Sequence, residues 1–185
     1  METVLQLFKF PFEFIYWFLP WSIMILSFFH KGVFTKVIAS HYNRFMLFAI
    51  LINIVVYWTS PEVYARYLLM FVPLFYTLIF TGYNFLPSEA FLKKTIQVVL
   101  LVFSFIFSLV FLIVFFHPVK NLVNHAYLKV SLILILLVFL LYKSIRNLQN
   151  VHIYLIVILL VSRIGFNWFV LPYRYSEIQN HTDKT

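Results

Sequence analysis

Long runs of apolar residues follow one another from Phe8 to Pro172, separated by short polar segments that carry Lys, Arg, His or Pro. A helix crossing the ~30 Å hydrocarbon layer of a bilayer needs roughly 20 mostly apolar residues. The runs predict about six such helices, over 14–29, 45–58, 67–83, 96–116, 127–142 and 153–171. The first has Pro20 and Trp21 close to its start, and the fourth is the cleanest, with neither a charge nor a helix breaker. The runs are continuously apolar, whereas the strands of a membrane barrel alternate apolar and polar positions, so helices are indicated. The expected fold is all-α: a polytopic helical membrane protein in one transmembrane domain over 1–185, with no soluble domain.

Composition sharpens this picture. Of 185 residues, 63% are hydrophobic, 22% aromatic and only 11% charged, where soluble domains carry about a quarter charged residues. The formal net charge of +8 needs no nucleic acid to explain it, because basic residues that flank membrane helices meet anionic headgroups. A nucleic-acid binder would also need a basic face on a fold of its own, and none is visible. The absence of cysteine removes disulfides, thiolate metal sites and thiol nucleophiles together.

Lys and Arg concentrate in cytoplasmic loops, so the two alternating sets of connections can be compared. One set holds Lys31, Lys36, Arg44, Lys93, Lys94, Lys143 and Arg146 in tight clusters. The other holds Lys9, Arg66, Lys120, Lys129, Arg174 and Lys184, together with five of the six acids. The clustering places both termini outside. Met1 to Phe12 lacks the basic start and small-residue cleavage site of a secretory signal, and a chain that starts outside without one is the expected look of a split or truncated larger protein.

Aromatic rings gather where spans should meet water: Tyr16, Trp17 and Trp21; Tyr57 and Trp58; Tyr64 and Tyr67; Trp168, Tyr173 and Tyr175. They read as an interfacial belt. Between the second and third spans, Glu62 precedes Arg66 by four residues, the favourable order for a helical ion pair. Arg66 therefore has two readings: an arginine snorkelling to the surface beside Glu62, or a guanidinium at the mouth of a span that grips a phosphate bidentately. Arg163 lies well inside the last run, where a charge is costly and either faces a partner or a wet cavity or reaches the headgroups.

Other chemistry is thin. His117 and His125, with Lys120, Asn121 and Asn124, match no compact metal spacing, and neither do His30 and His41. Asn180-His181-Thr182 fits a glycosylation acceptor. No Walker A, dinucleotide loop, Ser/His/Asp set or HExxH is present, and three glycines in all do not make a phosphate-cradling loop. No cofactor and no metal are expected.

The order of the segments carries a resemblance. Leu19-Pro20-Trp21-Ser22, then Ser60-Pro61-Glu62 leading into Ala65-Arg66-Tyr67-Leu68-Leu69 with Pro73 beyond, and the exit Arg163 to Leu171-Pro172-Tyr173-Arg174 resemble the carboxy-terminal membrane half of polyprenyl-phosphate-dependent glycosyltransferases of the GT-C fold. The protein O-mannosyltransferase and aminoarabinose transferase group is the most similar. The resemblance implies a bacterial inner-membrane protein that lines the groove for a polyprenyl-phosphate-linked sugar. Arg66 would bind the donor phosphate, Tyr67 and Glu62 would orient it, and Arg163 and Arg174 would make second-line contacts. Met70 departs from the family's usual proline. The family's catalytic acids and metal-binding carboxylates belong to an amino-terminal half that is missing here, and no two of the six acids form a pair, so no catalytic residue is expected. Catalysis would need that half or a separate subunit. The alternative expectation is a non-enzymatic membrane subunit or a small permease.

Overall fold

The computed structural model describes residues 2–59, 65–110, 112 and 125–182, with side chains described for 8–59, 68–110, 112, 125–169 and 171. Every regular element among the described residues is helical. Among the described residues four helices are long and apolar enough to cross a membrane, Leu68–Phe85, Phe91–Val110, Ala126–Arg146 and Leu148–Phe169. Two more crossings arise if each of two bent helix pairs is one span, so the chain is a multi-pass helical membrane protein with four to six spans. It divides into two compact units, Met1–Ile96 and Gln97–Thr185.

The first unit runs α1 (Glu2–Trp17), a 3₁₀ helix (Trp21–Phe29), α2 (Val33–Ala39), α3 (His41–Trp58), a second 3₁₀ helix (Ala65–Phe71) and α4 (Val72–Phe85). The stretch 14–29, expected as one span, covers the end of α1 and the whole first 3₁₀ helix, and the chain bends there by 115°. Pro20 has no amide hydrogen with which to continue the α ladder. The turn is closed instead by Leu19 N donating to Tyr16 O at 3.1 Å and Ser22 N to Phe18 O at 3.0 Å. A second bend of 101° separates α2 from α3 without any proline. Ser40 turns the chain by taking an extended conformation, φ −75° and ψ 129°. The buried Asn43 donates from Nδ2 to the Val37 carbonyl at 3.0 Å, which satisfies one of the acceptors that the end of α2 leaves open.

Helix α4 is the hub of this unit and packs against the first 3₁₀ helix, α2 and α3. It comes close to the first 3₁₀ helix at Gly82: a Cβ there would lie 2.9 Å from Ser27 Oγ and 3.0 Å from Phe28 Cζ. Any larger residue there has to displace the fully buried Ser27 hydroxyl or the tip of the Phe28 ring. Aromatic rings fill the rest of the contact. Phe14 and Phe18 pack on Phe75 at 5.3 and 4.8 Å, and Trp21 packs on Tyr76 and Phe80 at 6.2 and 5.7 Å. Trp21 is 7% exposed, so this ring belongs to the interior and not to the interfacial belt. The close ring contacts supply what an apolar exterior cannot, because lipid is as apolar as the side chains and only packing separates the two.

Helix α5 (Phe91–Val110) carries the boundary between the units. At its start Lys93 folds back, donating from Nζ to the Leu86 carbonyl at 2.9 Å and lying 5.3 Å from the Tyr83 ring centre. The second unit continues with α6 (Ala126–Arg146), a short 3₁₀ turn (Leu148–Asn150) and α7 (Val151–Thr182). The buried positions of α6 are Ala126, Val130, Ile133, Leu137, Leu140 and Ser144. Their spacing alternates four and three, the 3.5-residue period of a helix that keeps one seam toward its partner. They meet Ile158, Val161 and Phe169 of α7 in one cluster, and Phe107 of α5 packs on the same cluster. The opposite face of α6 is open, with Ile135 71% and Val138 63% exposed, as a lipid-facing surface should be.

Two stability outcomes follow from this packing. Leu137→Ala, at a fully buried seam position, lowers the stability of the detergent-purified protein by about 2 kcal/mol or more, whereas Leu136→Ala on the outer face leaves the melting temperature nearly unchanged. Gly82→Leu, by contrast, inserts carbon into a filled contact and costs about 1–3 kcal/mol. Tryptophan fluorescence melts of the three variants in one detergent read both effects.

Candidate functional site

The five residues singled out by sequence fall in different parts of the chain. Arg66 and Tyr67 occupy the second 3₁₀ helix of the first unit, immediately before the membrane-length segment Leu68–Phe85. Their side chains and Glu62 lie outside the described residues. Arg163 and Arg174 stand on the continuous helix α7 of the second unit. Eleven residues are almost a whole number of helical turns, so the two share a face but are about 16 Å apart along the axis. Arg174's side chain is outside the described residues.

Arg163 is exposed, and its guanidinium carbon lies 5.4 Å from the centre of the Phe166 ring, one turn along α7. The position is about 9 Å from the Phe169 end of the span, counting 1.5 Å per residue. A charge over a ring face is partly compensated by the ring's quadrupole. At the same end of the α6–α7 hairpin, Lys129 Nζ lies 5.8 Å from the Trp168 ring centre. The other end repeats the device with Lys143 over Phe139 at 5.6 Å and Arg146 over Tyr142 at 5.3 Å. Both ends of the hairpin thus carry cations backed by aromatic rings, the arrangement of side chains that must sit between hydrocarbon and headgroups. Trp168 keeps the interfacial role that Trp21 does not have.

Among the described residues no three His, Asp or Glu side chains come together as a metal site would need. His41 accepts a hydrogen bond at Nδ1 from Arg44 Nη2 at 2.9 Å, and His125 starts α6 with a left-handed backbone, φ 57°. His117, Lys120, Asn121 and Asn124 lie outside the described residues. Asn180-His181-Thr182 is in the last turns of α7, and its side chains are likewise not described.

What sequence reasoning missed is a cavity. Within the first unit, α1, the first 3₁₀ helix, α2, α3 and α4 line a half-open apolar cavity of about 290 Å³ with eleven side chains, among them Phe28, Phe34, Val37, Ile38, Leu47 and Ile50. Phe34 at its edge is 48% exposed, so the space reaches the surface. No polar atom in the lining fixes the orientation of a small polar ligand, which a cavity selective for one would need. Part of the cavity wall comes from α2 and α3 on either side of the bend at Ser40, which carries no proline or glycine and gives little warning in the sequence.

Compared with known proteins, the chain matches no family model, no curated protein and no solved structure. The fold and its side chains therefore carry the functional argument.

The hairpin-end contacts make a measurable claim. In a double-mutant cycle of Lys129→Ala and Trp168→Leu, followed by thermal melting in bilayer nanodiscs, the pair shows a coupling of about 0.5–1 kcal/mol, as expected for a partly solvated cation–π contact. A coupling indistinguishable from zero would mean that the two residues are merely neighbours.

Proposed function

We propose that this chain is the membrane portion of a glycosyltransferase that uses a polyprenyl-phosphate-linked sugar, with its termini on the outer side of a bacterial inner membrane. The observation that carries the reading is the position of Arg66 and Tyr67 directly before the span Leu68–Phe85. A guanidinium at that level meets a lipid phosphate where the phosphate already resides, and its planar fork matches two phosphate oxygens. The likeness of Leu19-Pro20-Trp21-Ser22 and Ala65-Arg66-Tyr67-Leu68-Leu69 to the GT-C pattern supports the same reading. Glu62 and Tyr67 would orient the donor, with Arg163 and Arg174 as contacts further along the lipid. The acid that deprotonates an acceptor hydroxyl would be supplied by a partner segment or subunit, since a general base must lie within hydrogen-bond reach of the proton it takes.

A second reading, a small permease or non-enzymatic subunit, draws on the two bent helix pairs, since transporters build substrate sites from interrupted helices. It is the weaker of the two, because such sites aim helix ends and polar side chains at the cargo, whereas the cavity beside these bends is wholly apolar.

The two separate on one titration. Detergent-purified protein binds a polyprenyl phosphate saturably, and Arg66→Ala weakens that binding about tenfold or more, the scale of a lost charged hydrogen bond; Arg66→Lys recovers part of it, as a point charge without the fork should. Equal binding by the native protein and Arg66→Ala would remove the donor role and favour the permease or subunit.

A further inference from the structure

The corner between α2 and α3 combines two features. One is the apolar cavity, whose walls on this side are Phe34, Val37 and Ile38 of α2 and Leu47 and Ile50 of α3. The other is a set of exposed cations, Lys31, Lys36 and Arg44. They are next to the cavity along the chain. Lys36 directly precedes the wall residues Val37 and Ile38, and Arg44 is one helical turn before Leu47 on the same face of α3. The stretch from Phe14 to Pro61 contains no Asp or Glu, so these cations have no acid of their own segment to pair with. Helix α2 buries Val33 and Val37 and exposes Lys36, an apolar side and a basic side. It also turns away from α3 by 101°, as a short helix resting at the headgroup boundary would.

We propose that this corner is a binding site for one anionic phospholipid of the surrounding leaflet, with an acyl chain in the cavity and the phosphate group held by Lys36 and Arg44. The physics favours an occupant. A carbon-lined space excludes water, which needs polar partners to enter, and an empty space of this size forfeits the dispersion contacts of its lining. Hydrocarbon is the one material at hand that suits it, and the partly exposed Phe34 leaves an opening to the bilayer. Because the cavity holds no polar atom, selectivity comes from the rim, where the charge is positive and favours an anionic over a zwitterionic head. His41 is held beside Arg44 by their hydrogen bond and fixes the guanidinium near the corner. The site uses neither Arg66 nor a sugar donor, so it is independent of the transferase reading.

Native mass spectrometry of the full chain, released from detergent with phosphatidylglycerol or phosphatidylcholine of identical chains, tests the site. The native protein retains phosphatidylglycerol about tenfold more strongly, and Lys36→Gln and Arg44→Gln each lower that retention about fivefold, the worth of one basic residue near an anionic headgroup. Ile38→Trp, which fills the cavity, lowers retention of both lipids, whereas Lys143→Gln in the second unit changes neither. Equal retention of the two lipids by the native protein, or unchanged retention in Lys36→Gln and Arg44→Gln, would overturn the headgroup site. Unchanged retention in a folded Ile38→Trp would overturn the chain in the cavity. Should Ile38→Trp fail to fold, Leu47→Phe fills the same space with less bulk, and its retention decides that point by the same rule.

Discussion

A peptide group in hydrocarbon has no water to bond with, and each amide left open there costs several kcal/mol. Three interruptions among the described residues meet that constraint with bonds of their own. At the first bend Leu19 and Ser22 donate to Tyr16 and Phe18, and at the second the Asn43 side chain answers the Val37 carbonyl. At the hairpin turn Asn147 N donates to Lys143 O at 3.0 Å. Some hydroxyls within the spans are satisfied locally: Thr77 and Thr81 of α4, and Ser104 and Ser108 of α5, each donate to the carbonyl four residues back. The buried hydroxyls of Ser22, Ser27, Ser144 and Ser162 have no such partner, so back-bonding to the helix's own carbonyls satisfies some polar side chains of the spans and not others.

Once the backbone is satisfied, cohesion comes from close contact alone, and the two units achieve it differently. The hairpin of α6 and α7 uses a regular seam of aliphatic side chains with small residues at intervals, Ala126 and Ser144 on one helix and Gly165 on the other. The first unit uses irregular elements, a glycine notch and a stack of rings from Phe14 to Phe80. Irregular pieces tile less completely than a regular seam, and the cavity beside α2 is where the tiling stops.

Much of this was legible in the sequence, for physical reasons that can be named. Apolar run length gave helices and spans, because bilayer thickness sets it. The bend near Pro20 was foreshadowed by a residue that cannot donate. The bend at Ser40 was not, since any residue can take an extended conformation, and the signal is the pairing of Asn43 with a carbonyl six residues back. Trp21 misled because a ring with a polar edge suits either an interface or an aromatic interior, and only its neighbours Tyr76 and Phe80 decide which. The seam of α6 is hidden by uniformity: Leu132, Leu136 and Leu137 look alike in the sequence, and exposure alone separates the inner from the outer ones. Arg66 was visible as a cation ahead of an apolar run, and its chemistry depends on a side chain outside the described residues.

The notch at Gly82 also bears on the order in which the protein comes together during synthesis. Its partner Ser27 precedes it by about 55 residues, so the early bent segment leaves the ribosome long before the helix that receives it. Until α4 is inserted, the rings of that segment have one another and Phe34 of α2 to pack on, but not Phe75, Tyr76 or Phe80. The α6–α7 hairpin has no such wait, because a turn of a few residues separates its halves and each finds the other as soon as it is made. Synthesis thus leaves the amino-terminal half dependent on a later arrival, and a chain interrupted before α4 is released with its first aromatic surface uncovered.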